Sequence, residues 1–545
     1  MKINKLIFGI ILGLATLTFT SCADILDLGP VDYYGSESYW KSEANFDGYI
    51  DGLHKNMRDY NFTHQIVFGE LRSGNYSSEG TVSMDGMTMA SGDVRAQNFD
   101  ADHTGVSGFA NIYGKITNIN LFIKKTTETT LLSDAKKNYY LGIAHGLRAF
   151  YYYDLYRVFG GAPLRLGIEV IEGELDPNKL YLGQAKPSEV MTQVKSDLAK
   201  SLEFFGSETK FDPYSRGKKV YWSKAATETL AADVYLWNSK VTIGDNKSNA
   251  ADLAVAKKHL LDIANNYGLS LLNNYSEIFD AKYGKGNNEV IFAIRYVEGE
   301  ASNGYGSWTY SVNTGSLNTK AVREDGTPWN DPLELKSGYP ASYQYNTNLF
   351  LKFDKEDSRR LATFMPAYLK TDPTNLLGAI AVKNIGYINP TGDRIFCSDD
   401  IYYRLAWVYL ALAEVANEEG NNADVEKYIN LVRERAYGSN WNDNFKYTAS
   451  DYTTNTLTIL NEKDKEFVQE GQRWWDLNRM TLTKGGKHLV FCKEGSMKGD
   501  YPILNEATEA HKVLWPLDKG ILGNDPQLKQ TPGYGAEAQQ EEQQW

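Results

Sequence analysis

The chain is short of the residue types from which many hydrolases build their chemistry. It holds 7 histidines and 3 cysteines in 545 residues. No histidine stands four residues from another, so the HExxH pattern of a zinc hydrolase is absent. No G-x-S-x-G follows a strand-like run, which removes the nucleophile elbow. No grouping of ligating residues suggests a metal, and no cofactor is expected. Positive charge is also in deficit, with 57 Lys and Arg against 69 Asp and Glu. Lys2 and Lys5 lie in a segment expected to be removed, leaving 55 basic residues and a balance of −14. With no clustered basic patch either, nucleic acid is not an expected partner. The apolar run from Leu6 to Phe19 is shorter than the ~20 residues needed to cross a bilayer.

What is present describes a globular protein: 42% hydrophobic and 23% charged residues, with length enough for a large core and more than one structural unit. Aromatics reach 13%, led by 37 tyrosines, an excess that fits either core filling or a ring-rich ligand surface. At the N-terminus two lysines, an apolar run, and Thr20, Ser21 and Cys22 make a secretory leader. A plain signal peptide cut near Ser21 is one reading. The sharper one is a lipoprotein signal, with Cys22 carrying the lipid and anchoring the chain without a spanning helix. Asp24 and Asp27 follow closely. Cys397 and Cys492 then remain, either paired in an oxidising compartment or as two buried thiols.

Helical periods run through the first half. Trp40, Phe46, Ile50, Leu53 and Met57 suit an amphipathic helix within 34–60, and Ile112, Ile116, Ile119 and Ile123 mark another. The strongest covers 139–159, with Ala144, Leu147, Tyr151, Leu155 and Val158 as its stripe and Gly160, Gly161 and Pro163 as its stop. Tyr151, Tyr152 and Tyr153 point in different directions on such a helix, which favours packing over a sugar platform. Ser223 can cap a helix to Ser239, and 251–266 reads as the next. Between Gly268 and Phe396 the period changes. Val290–Val297 reads as a buried strand, and 301–318 sets Tyr305, Trp308 and Tyr310 among Gly, Ser and Asn. Residues 72–92 are also loop. Helices return, with Ser398 capping 401–417, Gly420 ending it, and Asn422 capping the next. The pair spans about the 34 residues of a tetratricopeptide unit.

The stretch Leu460–Arg479, LNEKDKEFVQEGQRWWDLNR, organises the rest. Phe467, Gly471, Trp474 and Leu477 share one helical face. Glu466 and Glu470 are one turn apart, as are Glu470 and Arg473, and Asp476 and Arg479 can pair. The expected outcome is an amphipathic core helix with solvated ion pairs. A paired-carboxylate active site is the competing reading.

This stretch resembles a late helix of the RagB/SusD family of nutrient-binding outer-membrane lipoproteins, through Glu462, Glu466, Glu470, Gly471, Arg473, Trp474, Asp476, Leu477 and Arg479. Phe467 stands in place of the usual leucine. Leu147, Arg148, Ala149, Phe159, Gly160, Pro163 and Leu164 match a second family motif, and Glu289–Phe292 match its E-V-I-F strand. Trp515, Pro516, Leu528, Gln530, Pro532, Gly533 and Tyr534 match its closing segment, from which Asp518 and Thr531 depart. The resemblance implies a mainly α fold, a tetratricopeptide-like helical-pair scaffold with an irregular loop- and strand-containing region carrying the ligand site. The expected division is 1–21 leader, 22–267 N-terminal helical region, 268–397 irregular region, 398–534 C-terminal helical region and 535–545 Gln- and Glu-rich tail.

The function the resemblance implies is non-catalytic. The protein would sit on the cell surface, tethered to the outer membrane, capture oligosaccharides, and deliver them to a SusC-like TonB-dependent transporter. Tyr305, Trp308 and Tyr310 are the ring candidates, with Trp329 behind them. Arg72, Asn75 and Tyr76 form a second set. A surface glycoside hydrolase, a peptide binder and a purely structural helical scaffold are the alternatives.

Overall fold

The computed structural model describes residues 39–77, 94–102, 104, 108–168, 181–304, 314–336 and 344–535. The leader, Cys22 and the C-terminal tail from 536 therefore lie outside the described residues, as do Tyr305, Trp308 and Tyr310. Helices dominate: α1 (Glu43–Phe62), α2 (Phe109–Glu128), α3 (Asp134–Phe159), α4 (Pro187–Phe205), α5 (Lys224–Asn238) and α6 (Asp252–Asn266) fill the first half. After the strand region come α7 (Leu405–Glu419), α8 (Asn422–Tyr437), α9 (Tyr452–Glu466) and the short α10 (Arg473–Arg479). Successive helices pack side by side: α3 on α4, α5 on α6, α7 on α8, with α6 against α7 joining the two halves. The result is mainly α and tetratricopeptide-like.

α3 is the axle of the N-terminal half. Every residue from Tyr139 to Phe159 is buried, including Tyr151, Tyr152 and Tyr153. A helix buried on all sides lies inside a core, and α2, α4 and α5 cover it. Its polar residues are answered internally: Arg148 Nε and Nη2 donate to Asp197 of α4 at 2.9 and 2.7 Å. Gly146 lets Trp222 approach, since a Cβ there would lie 2.2 Å from the indole nitrogen. α4 is not among the helices marked above. Its own stripe, Val190, Met191, Val194, Leu198 and Phe205, is nonetheless fully buried.

Caps fall close to expectation. The Ser223 hydroxyl accepts from the Ala226 N–H, and Gly420 closes α7 in the left-handed region at φ 72°. Asn421, one residue before the expected Asn422, caps α8. A larger correction concerns 401–417. Asp400–Arg404 is a strand, β5, antiparallel to β1 (Val290–Ile294), and the helix begins only at Leu405. The apolar spacing of Ile401 and Leu405 fits a helix, but β1 needs a partner for its backbone groups. The Ile-Tyr-Tyr run has the branched and aromatic content that a strand accepts. Between β1 and β5 lies a second sheet, β2 (Ala321–Val322), β3 (Phe364–Leu369) and β4 (Asp372–Ala381), in that order. It carries its own small core of Leu317, Trp329, Leu333, Ala367 and Ile380. Cys397 and Cys492 are both free and buried.

Candidate functional site

The Leu460–Arg479 stretch is not one helix. α9 stops at Glu466, and the chain turns through Gln469 and Gly471, at φ 64° and 70°, before α10 resumes at Arg473. The break exists because a second backbone passes there. A Cβ on Gly471 would meet the Gln65 Cα at 2.7 Å, and one on Gly69 would meet the Gly471 carbonyl at 2.2 Å. The Trp474 N–H then donates to the Gly69 carbonyl at 2.8 Å. Glycine is required at 471 both by its φ and by this contact.

Nor are the charges solvated. Arg404, the last residue of β5, reaches Glu289 (2.8 Å), Glu466 (2.5 Å) and both oxygens of Glu470 (2.8 Å each). Arg359 bridges Asp357, Glu462 and Glu466 at 2.7, 3.0 and 3.0 Å. Arg435 joins Glu289 and Glu466, and Lys383 joins Glu470. All these side chains are buried. Burial alone would raise the Glu466 carboxyl. The guanidiniums of Arg435, Arg404 and Arg359 outweigh it and hold the group well below the carboxylate range. Burial likewise opposes Lys465, Arg359 and Arg433 at Glu462, and the cations bring it down to about 2. Arg473, expected to meet Glu470, instead pairs with Asp464 at 2.7 Å and holds the Ser73 and Gly495 carbonyls. Asp476 and Arg479 do meet, at 2.6 Å, in a second buried cluster with Lys463 and Glu414. Carboxylates locked this way are not free to shuttle protons. The cluster is a structural spine that binds α9 and α10 to β5, α7 and α8.

The second expected ligand set belongs to this interior too. Arg72 is fully buried, its guanidinium 4.2 Å from the Trp474 ring and 4.6 Å from that of Phe99. It donates to the Gln97 side chain at 3.0 Å and to the Lys512 carbonyl. The Asn75 carbonyl accepts from the Asn346 N–H, and Tyr76 bridges to Tyr345 at 2.7 Å. Both phenols converge on Glu70, at 3.2 and 2.9 Å, whose other oxygen accepts from the Glu470 and Gly471 N–H groups. Burial pushes Glu70 up to about 7, against those hydrogen bonds. These residues tie the chain entering 78–93 to the chain leaving 337–343. They present no surface to a ligand. Trp329 is likewise corrected: at 1% exposure it is the core of the β2–β4 lobe. The surrounding sequence looks like loop in both cases: Arg72 and Tyr76 are buried mostly by distant partners, Trp474, Lys512 and Tyr345, and Trp329 by its own lobe between Leu317 and Ile380.

The segment carrying Tyr305, Trp308 and Tyr310 is held at both ends by described residues. On the upstream side the Asn303 amide donates to the Asn384 and Ser398 carbonyls, and Gly304 lies against Phe62. On the downstream side the helix 314–320 leads into β2. Among the described residues no group of three His, Cys, Asp or Glu is placed to hold a metal. No helix there is long and apolar enough to cross a membrane.

The other family motifs are nodes of the same interior. Glu289 opens β1 and feeds Arg404 and Arg435. The Trp515 backbone N–H donates to the Val158 carbonyl, and its ring stacks on Phe99. Gln530 bonds both backbone groups of Leu517, and Tyr534 donates to the Leu514 carbonyl. This architecture is shared with known proteins. Residues 389–534 match the model of the SusD family, and residues 32–236 match one described as "Starch-binding associating with outer membrane". A SusD superfamily protein from Bacteroides fragilis is similar at 53% identity and TM-score 0.85, covering 91% of this chain and all of that one. B. fragilis NanU is similar at 30% identity and TM-score 0.80, over 93% and 100% of the two chains. The starch-binding protein SusD of Bacteroides thetaiotaomicron is 25% identical over 464 residues, 77% of this chain and 76% of that one. The chain belongs to the RagB/SusD family.

Proposed function

We infer that this protein captures nutrient glycans at the cell surface, without cleaving them, and hands them to a SusC-like TonB-dependent transporter. Family membership across nearly the whole chain carries the reading. One matching model is described by starch binding and outer-membrane association, and a relative is named for starch binding. Cys22 is the lipid attachment point, and the tether faces the cell exterior. In this reading the stacking surface is Tyr305, Trp308 and Tyr310, and Trp329, Arg72, Asn75 and Tyr76 are buried and take no part in it. A pyranose presents an apolar C–H face and a hydroxyl rim, which suits aromatic rings set among Asn and Ser.

The test is a glycan panel titrated against the mature protein by calorimetry. The double variant Tyr305→Ala, Trp308→Ala is expected to lose at least about tenfold in affinity, roughly 1.4 kcal/mol, with an unchanged melting temperature. Unaltered affinity removes this loop from the site. New reducing ends released from any bound glycan would replace the binder with a hydrolase.

A further inference from the structure

Away from the ring loop, a cavity of about 450 Å³ lies where α3, α5 and α10 end against residues 486–491 and 506–514. Trp237, Trp475, Ile243, Phe491, Val513 and Leu514 give it apolar and aromatic walls. Gly486, Lys487 and Glu506, all exposed, line its outer side. None of its lining belongs to the 301–318 segment. Its size and lining are those of a small-molecule site rather than a packing defect.

The ionised groups around it are already answered. Arg157 pairs with Asp154 at 3.0 Å and Asp233 at 3.2 Å, and Lys240 pairs with Glu418 at 2.6 Å and Glu414 at 3.4 Å. Lys487 pairs with Glu506 at 2.5 Å on the rim. Burial, helped by the nearby Lys240, pushes the His488 imidazole down to about 4, so it is neutral at working pH. A charged ligand would have to break one of these pairs. The wall's unpartnered polar atoms, the Trp237 and Trp475 indole nitrogens, the Arg157 Nε and the His488 Nδ1, are closed off from water, so the face turned to the cavity is largely apolar.

We propose that this cavity is a second ligand site, taking the apolar or aromatic ring of a small uncharged molecule, of the class of an aryl glycoside. It operates independently of the ring loop. Aromatic and aliphatic walls hold the ring and its substituent, while the paired charges reject ionised sugars.

The probes are phenyl β-D-glucopyranoside and its charged counterpart phenyl β-D-glucuronide, titrated into the mature protein by ligand-observed NMR and tryptophan fluorescence. The glucoside binds saturably and the glucuronide at least about tenfold more weakly. Ala510→Trp, which fills the cavity from its lining, weakens the glucoside about tenfold or more. Tyr305→Ala with Trp308→Ala leaves glucoside binding unchanged, so failure of the loop reading and failure of this one are distinguishable. The proposal falls if the glucoside shows no saturable binding, if the glucuronide binds equally well, if Ala510→Trp changes nothing, or if the loop variant abolishes the signal.

Discussion

Two ion pairs of the same length sit in two different regions of this molecule. Lys55 and Asp59, one turn apart on α1, approach to 2.6 Å with side chains 61% and 49% exposed. Asp476 and Arg479, also one turn apart, approach to 2.6 Å with side chains 2% and 1% exposed. Each pair spans one helical turn, at i,i+4 in the first and i,i+3 in the second, and the distances are equal; the large difference is burial. On α1 water screens the pair and repays its loss. Inside the spine there is no water to do so, and each charge depends on several partners at once. The family motifs cluster in the second region because a buried charge network fails when any one member is missing. They identify the scaffold for that reason, and for the same reason they say little about the ligand.

The sharpest way to break this contrast is to remove one spine carboxylate. Glu466 answers Arg359, Arg404 and Arg435 together. Glu466→Ala is expected to cost about 3–5 kcal/mol or more, since it strands buried guanidiniums. Denaturant midpoints at fixed m-value measure it. A loss below about 1 kcal/mol would mean that water reaches the cluster and that the two regions are not different in kind.

Burial also decides how much of this could be read from the chain. The helices were legible wherever apolar residues recur at three and four, as in α2, α3 and α5, and the Ser223 and Gly420 boundaries followed from cap chemistry. The same spacing was present in α4, where Val190, Val194 and Leu198 offered an unused signal. Glu466 and Glu470 misled, because regular spacing suggested a continuous helix while Gly471 in fact marks a turn forced by Gly69 and Gln65. Arg72 and Tyr76 misled differently: a segment of Gly, Ser and Asn reads as surface, and nothing local announces Trp474, Phe99 or Tyr345. Glu70 gave no signal at all, since its role exists only once Tyr76, Tyr345 and the 470–471 backbone have come together.

Glu70 also sharpens the contrast, because it is a buried carboxylate held mainly by hydrogen bonds, while Glu462 is held by cations. Their linkage runs in opposite directions. Glu70, raised from 4.5 to about 7, contributes stability that is complete below pH 4.5 and is lost as pH rises toward 7. Glu462, lowered to about 2, contributes stability that is present above pH 4.5 and is lost as pH falls toward 2. Glu70→Gln keeps an acceptor for the two N–H groups and removes the titration. The variant should therefore gain on the wild type between pH 5 and pH 8, by an amount on the order of 2 kcal/mol. Melting temperatures of both proteins across that range give the difference, and parallel curves would place the Glu70 proton elsewhere.

The smallest expected effect completes the comparison from the exposed side. Lys55→Ala removes a pair whose order, Lys before Asp, is the less favourable one along a helix. Its cost is expected to be about 0.3 kcal/mol or less, and about 0.5 M salt should erase it by screening. Lys463, at 2.7 Å from Asp476 within the spine, provides the matched control. Lys463→Ala should cost several kcal/mol at low salt and at high salt alike, because ions do not enter the space it leaves. If both variants respond to salt in the same way, the interior charges are hydrated and the spine is an extension of the surface. If only Lys55→Ala responds, the two pairs share a length and little else, and the rigidity of the scaffold rests on the buried one.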